Sequence, residues 1–197
     1  LPGHAREVTG LVLLPNNLLW TSGTDSCIRI WNTTTGELQY CISQDSPAGT
    51  GGGHSLPVTD LVSYKASTGT LFVLSSSLDR TIKVWDSNTG QCVATETHSD
   101  GVVCMCIVRD TANNELLLLG LESGSIQCRN VQPTPTLPAL QLIFTLSFGH
   151  TGVGHKGAVS CLSAGPSATF YSGGHDGKMH VLSFCGDVLQ SLQQSSR

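Results

Sequence analysis

Charge is scarce in this sequence. Asp, Glu, Lys and Arg make up 12% of its 197 residues, against roughly a quarter in ordinary soluble domains. The net charge of −4 leaves no broad basic field for a phosphate backbone, so direct nucleic-acid binding by this segment is not expected. No apolar run reaches the roughly 18 residues of a membrane-spanning helix. The opening LPGHAREVTG lacks the charged-then-apolar layout of a secretory leader. An initiator Met is also missing, so the chain is expected to be a fragment or a processed product.

No C-x-x-C pair occurs among Cys27, Cys41, Cys92, Cys104, Cys106, Cys128, Cys161 and Cys185. Most lie in apolar runs such as GVVCMCIV and AVSCLSA, which reads as reduced, buried thiols rather than a disulfide framework. That reading places the chain inside the cell, in cytoplasm or nucleus. Catalytic signatures are missing too. GHTGVGHKG (Gly149–Gly157) has its Lys one place late for a phosphate loop, with no Ser or Thr after it. There is no G-x-S-x-G elbow and no H-E-x-x-H helix. GGHDGKMH puts His175, Asp176 and His180 close together, but Asp176 is already required by the repeat described next. No catalytic residue, cofactor or metal is therefore expected.

What is present is a repeat. TSGTDSCIRIWNTTTG (Thr21–Gly36) and SSSLDRTIKVWDSNTG (Ser75–Gly90) agree in kind along their length. Aligned on the Asp, the first unit carries His4, Thr21, Asp25 and Trp31; the second carries His54, Ser75, Asp79 and Trp85. A fourth keeps His155, Ser172 and Asp176 but has Leu182 in place of Trp. The third keeps His98 and has Leu119, Ser123 and Arg129 at the other places. Each unit also holds four short alternating runs separated by Gly, Asn and Asp, the pattern of an antiparallel meander. The fold class is all-β, in units of about 1–42, 54–96, 97–148 and 154–193, with loop insertions at 43–53 and 131–141. Pro133, Pro135 and Pro138 predict an extended, polyproline-like course for the second insertion.

Gly3-His4, Gly53-His54, Gly154-His155, Trp85-Asp86 and the near match Trp31-Asn32 resemble the WD-repeat (WD40) β-propeller family. The resemblance implies four blades of four antiparallel strands, part of a seven-bladed ring, with about three further blades elsewhere in the native chain. Two copies closing one ring, by self-association through bare blade ends, is the alternative. It also implies that the His, hydroxyl, Asp and Trp side chains form a structural hydrogen-bonded chain inside each blade, not a catalytic centre. The third unit, lacking most of that chain, is expected to rely on apolar packing. Sequences around the second and fourth units are also similar to the last blades of CCCH zinc-finger WD-repeat proteins, which would make the chain RNA-associated through a finger outside this segment. Substrate-recognition parts of ubiquitin-ligase assemblies fit equally.

Family resemblance further implies a non-enzymatic scaffold that binds a protein or peptide within a multiprotein complex. The contact positions lie three and five after the His and one before the Asp. They are Glu7, Thr9 and Thr24; Pro57, Thr59 and Leu78; Gly101, Val103 and Glu122; and Ala158, Ser160 and His175.

Overall fold

The computed structural model describes residues 3–46, 52–66, 68–112, 114–133, 138–147, 149, 153–166, 168–183 and 188–193. The chain divides into two compact units, Leu1–Ser99 and Asp100–Arg197. Unit 1 holds β1 (Val8–Leu13), β2 (Leu18–Gly23), β3 (Ile28–Asn32) and β4 (Leu38–Ile42), then β5 (Val58–Lys65), β6 (Leu71–Ser77), β7 (Thr81–Asp86) and β8 (Cys92–Thr97). Unit 2 holds β9 (Val102–Arg109), β10 (Glu115–Leu121), β11 (Ile126–Pro133) and β12 (Pro138–Leu146), then β13 (Val159–Ala164), β14 (Thr169–Gly174), β15 (Lys178–Ser183) and β16 (Val188–Gln193). They form four separate four-stranded antiparallel sheets, each a meander in sequence order, here called blades 1 to 4. No helix among the described residues is long and apolar enough to cross a membrane.

Two local devices recur in every blade. The hairpin between the second and third strands turns through a left-handed residue directly after the Asp position: Ser26 (φ 61), Arg80 (φ 67), Gly124 (φ 84) and Gly177 (φ 72). Glycine adopts that conformation without strain, whereas Ser26 and Arg80 do so at a cost. The first strand of each blade carries a bulge opposite the second strand. Thr9, Thr59, Val103 and Ser160 are the extra residues, each skipped between two paired neighbours.

Each unit has its own core. In unit 1, Val58 and Leu61 of blade 2 pack with Trp20, Ile28 and Ile30 of blade 1. Unit 2 packs Leu116, Leu118, Ile126 and Cys128 of blade 3 with Val159, Phe170 and Leu182 of blade 4. Each such side chain, once buried, contributes about 1.5–3 kcal/mol against exposure. Blade 1 shows the contrast. Leu11 and Leu13 on β1 are 65% and 67% exposed, while Leu61, the repeat equivalent of Leu11, is 4% exposed against blade 1.

Two expectations need correction. The segment 131–141 is not a looped-out insertion. Val131 pairs with Leu140, Gln132 with Ala139 and Pro133 with Pro138, so it is the end of a long β11–β12 hairpin. Both prolines sit at strand ends, where a missing ladder N–H costs little. Residues 134–137, and 47–51 of the first insertion, lie outside the described residues. Nor are the cysteines uniformly buried. Cys104 and Cys128 are, but Cys41 and Cys161 are exposed and Cys27, Cys92 and Cys106 are half-buried; all seven are free thiols. Alternation in an outer or end strand turns one face to solvent, and composition does not say which. Cys185 lies outside the described residues.

Candidate functional site

The recurring side chains meet in three blades. In blade 2, Trp85 Nε1 donates to Ser75 Oγ at 2.8 Å. Ser75 Oγ lies 2.7 Å from His54 Nε2, and His54 Nδ1 lies 2.9 Å from Asp79 Oδ2. Blade 1 repeats this: Trp31 Nε1 to Thr21 Oγ1 at 3.0 Å, Thr21 to His4 Nε2 at 2.8 Å, His4 Nδ1 to Asp25 at 2.9 Å. Blade 4 keeps His155 Nε2 to Ser172 Oγ at 2.9 Å and His155 Nδ1 to Asp176 at 2.8 Å, with buried Leu182 supplying no donor. Indole donates only and ionised Asp accepts only, so the chain of blade 2 runs in one direction through the imidazole.

Backbone donors complete the carboxylate's shell, and these were not foreseen from the sequence. The N–H after the His bonds each Asp: Ala5 at 2.9 Å, Ser55 at 3.1 Å and Lys156 at 3.0 Å. So does the N–H two after the Asp: Cys27 at 3.2 Å, Thr81 at 2.9 Å and Lys178 at 3.1 Å. Arg29 adds a guanidinium 2.8 Å from Asp25 Oδ2. Burial alone would raise the Asp25 carboxyl. Hydrogen bonds from His4, the Ala5 N–H and Arg29 outweigh it and hold the group at about 2. Asp176 is likewise held at about 2, burial being outweighed by His155 and the Lys156 and Lys178 N–H groups. Asp79 is lowered further, with His54 and Thr81 overcoming its burial.

Blade 3 solves the same problem differently. Ser123 stands where Asp would be. The carboxylate comes instead from Asp100, which accepts the Ser123 N–H at 2.7 Å and its own neighbour Gly101 N–H at 2.9 Å. Leu119 is fully buried. Arg129, at the Trp place, is buried along the sheet: it donates to Gln127 Oε1 at 2.9 Å and to the Leu140 carbonyl at 3.1 Å. It does not reach outward.

The twelve contact positions collect at one end of each blade. The residue before the Asp donates its N–H to the carbonyl of the residue three after the His in all four: Thr24 to Glu7, Leu78 to Pro57, Glu122 to Gly101 and His175 to Ala158, at 2.9–3.2 Å. The remaining position of each set, five after the His, is the bulged residue, Thr9, Thr59, Val103 or Ser160. Glu7, Thr9, Glu122, Ser160 and His175 are exposed; Thr24, Pro57, Thr59, Leu78, Val103 and Ala158 are half-buried; Gly101 is buried. Three of the bulged hydroxyls also bond inward: Thr9 to the Val58 carbonyl at 2.6 Å, Thr59 with Ser76 Oγ at 2.8 Å and Ser160 to the Gly173 carbonyl at 3.1 Å.

Residues 1–32, 45–86 and 142–182, more than half of the chain, match the profile of the family described as WD40, WD domain, G-beta repeat. Each match closes at or beside the Trp position. The span 87–141, which holds the first three strands of blade 3 and its relocated carboxylate, falls between matches. Ribosome biogenesis protein YTM1 of Phaeosphaeria nodorum is 31% identical over 132 residues, 66% of this chain and 25% of that protein. COMPASS component SWD3 of Saccharomyces cerevisiae is 32% identical over 133 residues, 64% of this chain and 38% of that protein. Small ribosomal subunit protein RACK1 of Schizosaccharomyces pombe is 33% identical over 94 residues, 47% of this chain and 28% of that protein. The chain therefore spans well under half the length of these relatives. The crystal structure of the computationally designed Ika4 protein is similar at a TM-score of 0.65 and 25% identity, over 93% of this chain and 94% of that one. The chain belongs to the WD40 repeat family, and its four meanders are blades of a WD40 β-propeller fold.

Proposed function

We propose that the chain is a non-enzymatic protein-interaction scaffold that meets its partner at the end of each blade where the bulge and the second hairpin turn lie side by side. One observation carries the reading. The hydrogen bond between the residue before the Asp and the residue three after the His is present in all four blades, even blade 3, where most of the tetrad is gone. Its persistence there means that it does not depend on the side-chain network, which supports one common end surface built the same way in every blade. A bulge beside it re-aims a side chain at the same end. The positions themselves are mostly small and weakly polar, with two acids, Glu7 and Glu122, and no Lys or Arg. That suits a protein or peptide of modest charge, not a nucleic acid or an acidic tail. Relatives named as a COMPASS component and a small ribosomal subunit protein are parts of assemblies, which supports a partner within a multiprotein complex. The tetrads on this reading hold the blades and do no chemistry.

Leu78→Ala and Glu122→Ala test the assignment by affinity capture from the source cells. Both side chains sit on turns outside the cores, so the variants are expected to fold and to lose bound partner. Normal binding by both refutes this choice of surface.

A further inference from the structure

The position four after the Asp is occupied by Arg29 in blade 1, Lys83 in blade 2 and His180 in blade 4. In blade 1 a single guanidinium nitrogen lies 2.8 Å from His4 Nδ1 and 2.8 Å from Asp25 Oδ2. The notch between the imidazole and the carboxylate thus accommodates a cation. Lys83 instead reaches away, donating to Thr95 Oγ1 at 3.2 Å. In blade 4 the notch faces a second imidazole. The His180 and His155 rings are 4.6 Å apart between centroids and tilted by 51°. One ligand atom each from His155, Asp176 and His180 lies within 4.8 Å of the others. His155 and His180 are 1% and 7% exposed, and the Asp176 side chain 9%. Among the described residues no other such trio occurs.

The missing Trp changes what His155 can do. In blade 2 the Ser75 hydroxyl accepts the indole N–H and has its own proton to give to His54 Nε2. That arrangement keeps the imidazole proton on Nδ1, facing the Asp. Leu182 gives Ser172 no such donor. Ser172 Oγ is then able to accept a proton from His155 Nε2, which exposes the Nδ1 lone pair to the notch. A ligating imidazole usually donates its other N–H to a fixed acceptor in this way. The rest of the outer shell is already built: the Lys156 and Lys178 N–H groups hold the two Asp176 oxygens, and His180 bonds the Gly154 backbone.

We propose that His155, Asp176 and His180 of blade 4 form a binding site for a transition-metal dication of the zinc type. Two imidazole nitrogens and one carboxylate oxygen suit Zn(II) or Co(II) rather than Mg(II) or Ca(II), which take oxygen ligands. Three protein ligands leave a fourth tetrahedral position for water. Binding replaces the His155–Asp176 hydrogen bond with two metal–ligand bonds, so the blade keeps its cross-link in either state.

The test uses the whole 197-residue chain carrying Cys41→Ser and Cys161→Ser, because those two thiols are exposed and would bind metal independently. Zn(II) is titrated in competition with a chromophoric chelator, and Co(II) is added as a spectroscopic probe. The proposal predicts one tight equivalent per chain and a Co(II) spectrum of nitrogen and oxygen ligation. His180→Arg, which reproduces the arrangement of blade 1, abolishes both. Leu182→Trp touches no ligand but restores the indole donor, and lowers Zn(II) affinity by at least about tenfold, the scale of outer-shell effects. Equal Zn(II) affinity in the parent and His180→Arg proteins overturns the site. Unchanged affinity in a folded Leu182→Trp protein overturns the proton placement on which it depends. His180→Arg alone decides the matter if the larger ring does not fit.

Discussion

Replacing Asp25 by Asn removes one negative charge from the centre of blade 1 and leaves its shape intact. The Asp25 carboxyl is held at about 2 against an ordinary 3.8. At about 1.4 kcal/mol per pH unit, the charged form contributes about 2 kcal/mol to the folded state at neutral pH. The side chain is 8% exposed, so little of this is lost to solvent screening. The sign follows from the lowered carboxyl. Its contribution is complete above pH 3.8 and is lost as pH falls towards 2, where the folded state also takes up the proton. An amide cannot titrate. Urea unfolding of the parent and Asp25→Asn proteins at pH 7, 5, 4 and 3 should therefore show a gap of about 2 kcal/mol that is level from 7 to 5 and narrows below 4. A gap that persists unchanged to pH 3 would assign the loss to packing or to the stranded Arg29 charge, and would refute the argument from the carboxylate.

The two buried indoles should respond differently to Phe. Trp85 donates to Ser75, whereas Trp20 Nε1 is buried with no hydrogen-bond partner among the described residues; Trp85→Phe should cost about 1 kcal/mol more than Trp20→Phe in denaturant unfolding. Arg80 holds a left-handed turn conformation, so Arg80→Gly should raise stability by a few tenths to about 1 kcal/mol, read as a higher melting temperature. Thiol alkylation followed by peptide mass spectrometry should label Cys41 and Cys161 first. Cys128, buried and with its thiol pushed up to about 12 by desolvation, should react only on unfolding, even at pH 9. Labelling of Cys128 in the folded protein at the rate of Cys41 would contradict the packing of unit 2.

The blade pattern was legible because its period is carried by chemistry that cannot be exchanged freely. A donor-only Trp six residues after an acceptor-only Asp, with a His far upstream, recurs at fixed offsets. The bulges were not legible, because one added residue at Thr9 or Thr59 breaks the alternation without changing its composition. Nor was the carboxylate of blade 3. Asp100 does the work of an Asp from the opposite strand end, so no fixed offset points to it. Arg29 was hidden for the opposite reason: it reads as an ordinary outward residue of an alternating strand, and only the fold turns it towards His4. The β11–β12 hairpin is hidden because Pro133 and Pro138 carry the composition of a loop yet pair with each other at the strand ends, where they interrupt no ladder. The contribution of His180 depends on His155, which lies 25 residues earlier, ahead of β13; the two meet through β14, whose Ser172 pairs with His180 and bonds His155.

The central claim is that partners bind at the end of the blades carrying the second hairpin turn. A photo-crosslinking amino acid placed at position 78, on the β6–β7 turn, tests it against one placed at position 88, on the β7–β8 turn at the other end of the same strand. Irradiation in the source cells, followed by mass spectrometry, should give crosslinked partner from position 78 and none from position 88. Crosslinking from position 88 with none from position 78 would place the interaction at the opposite end of the blades and contradict the account.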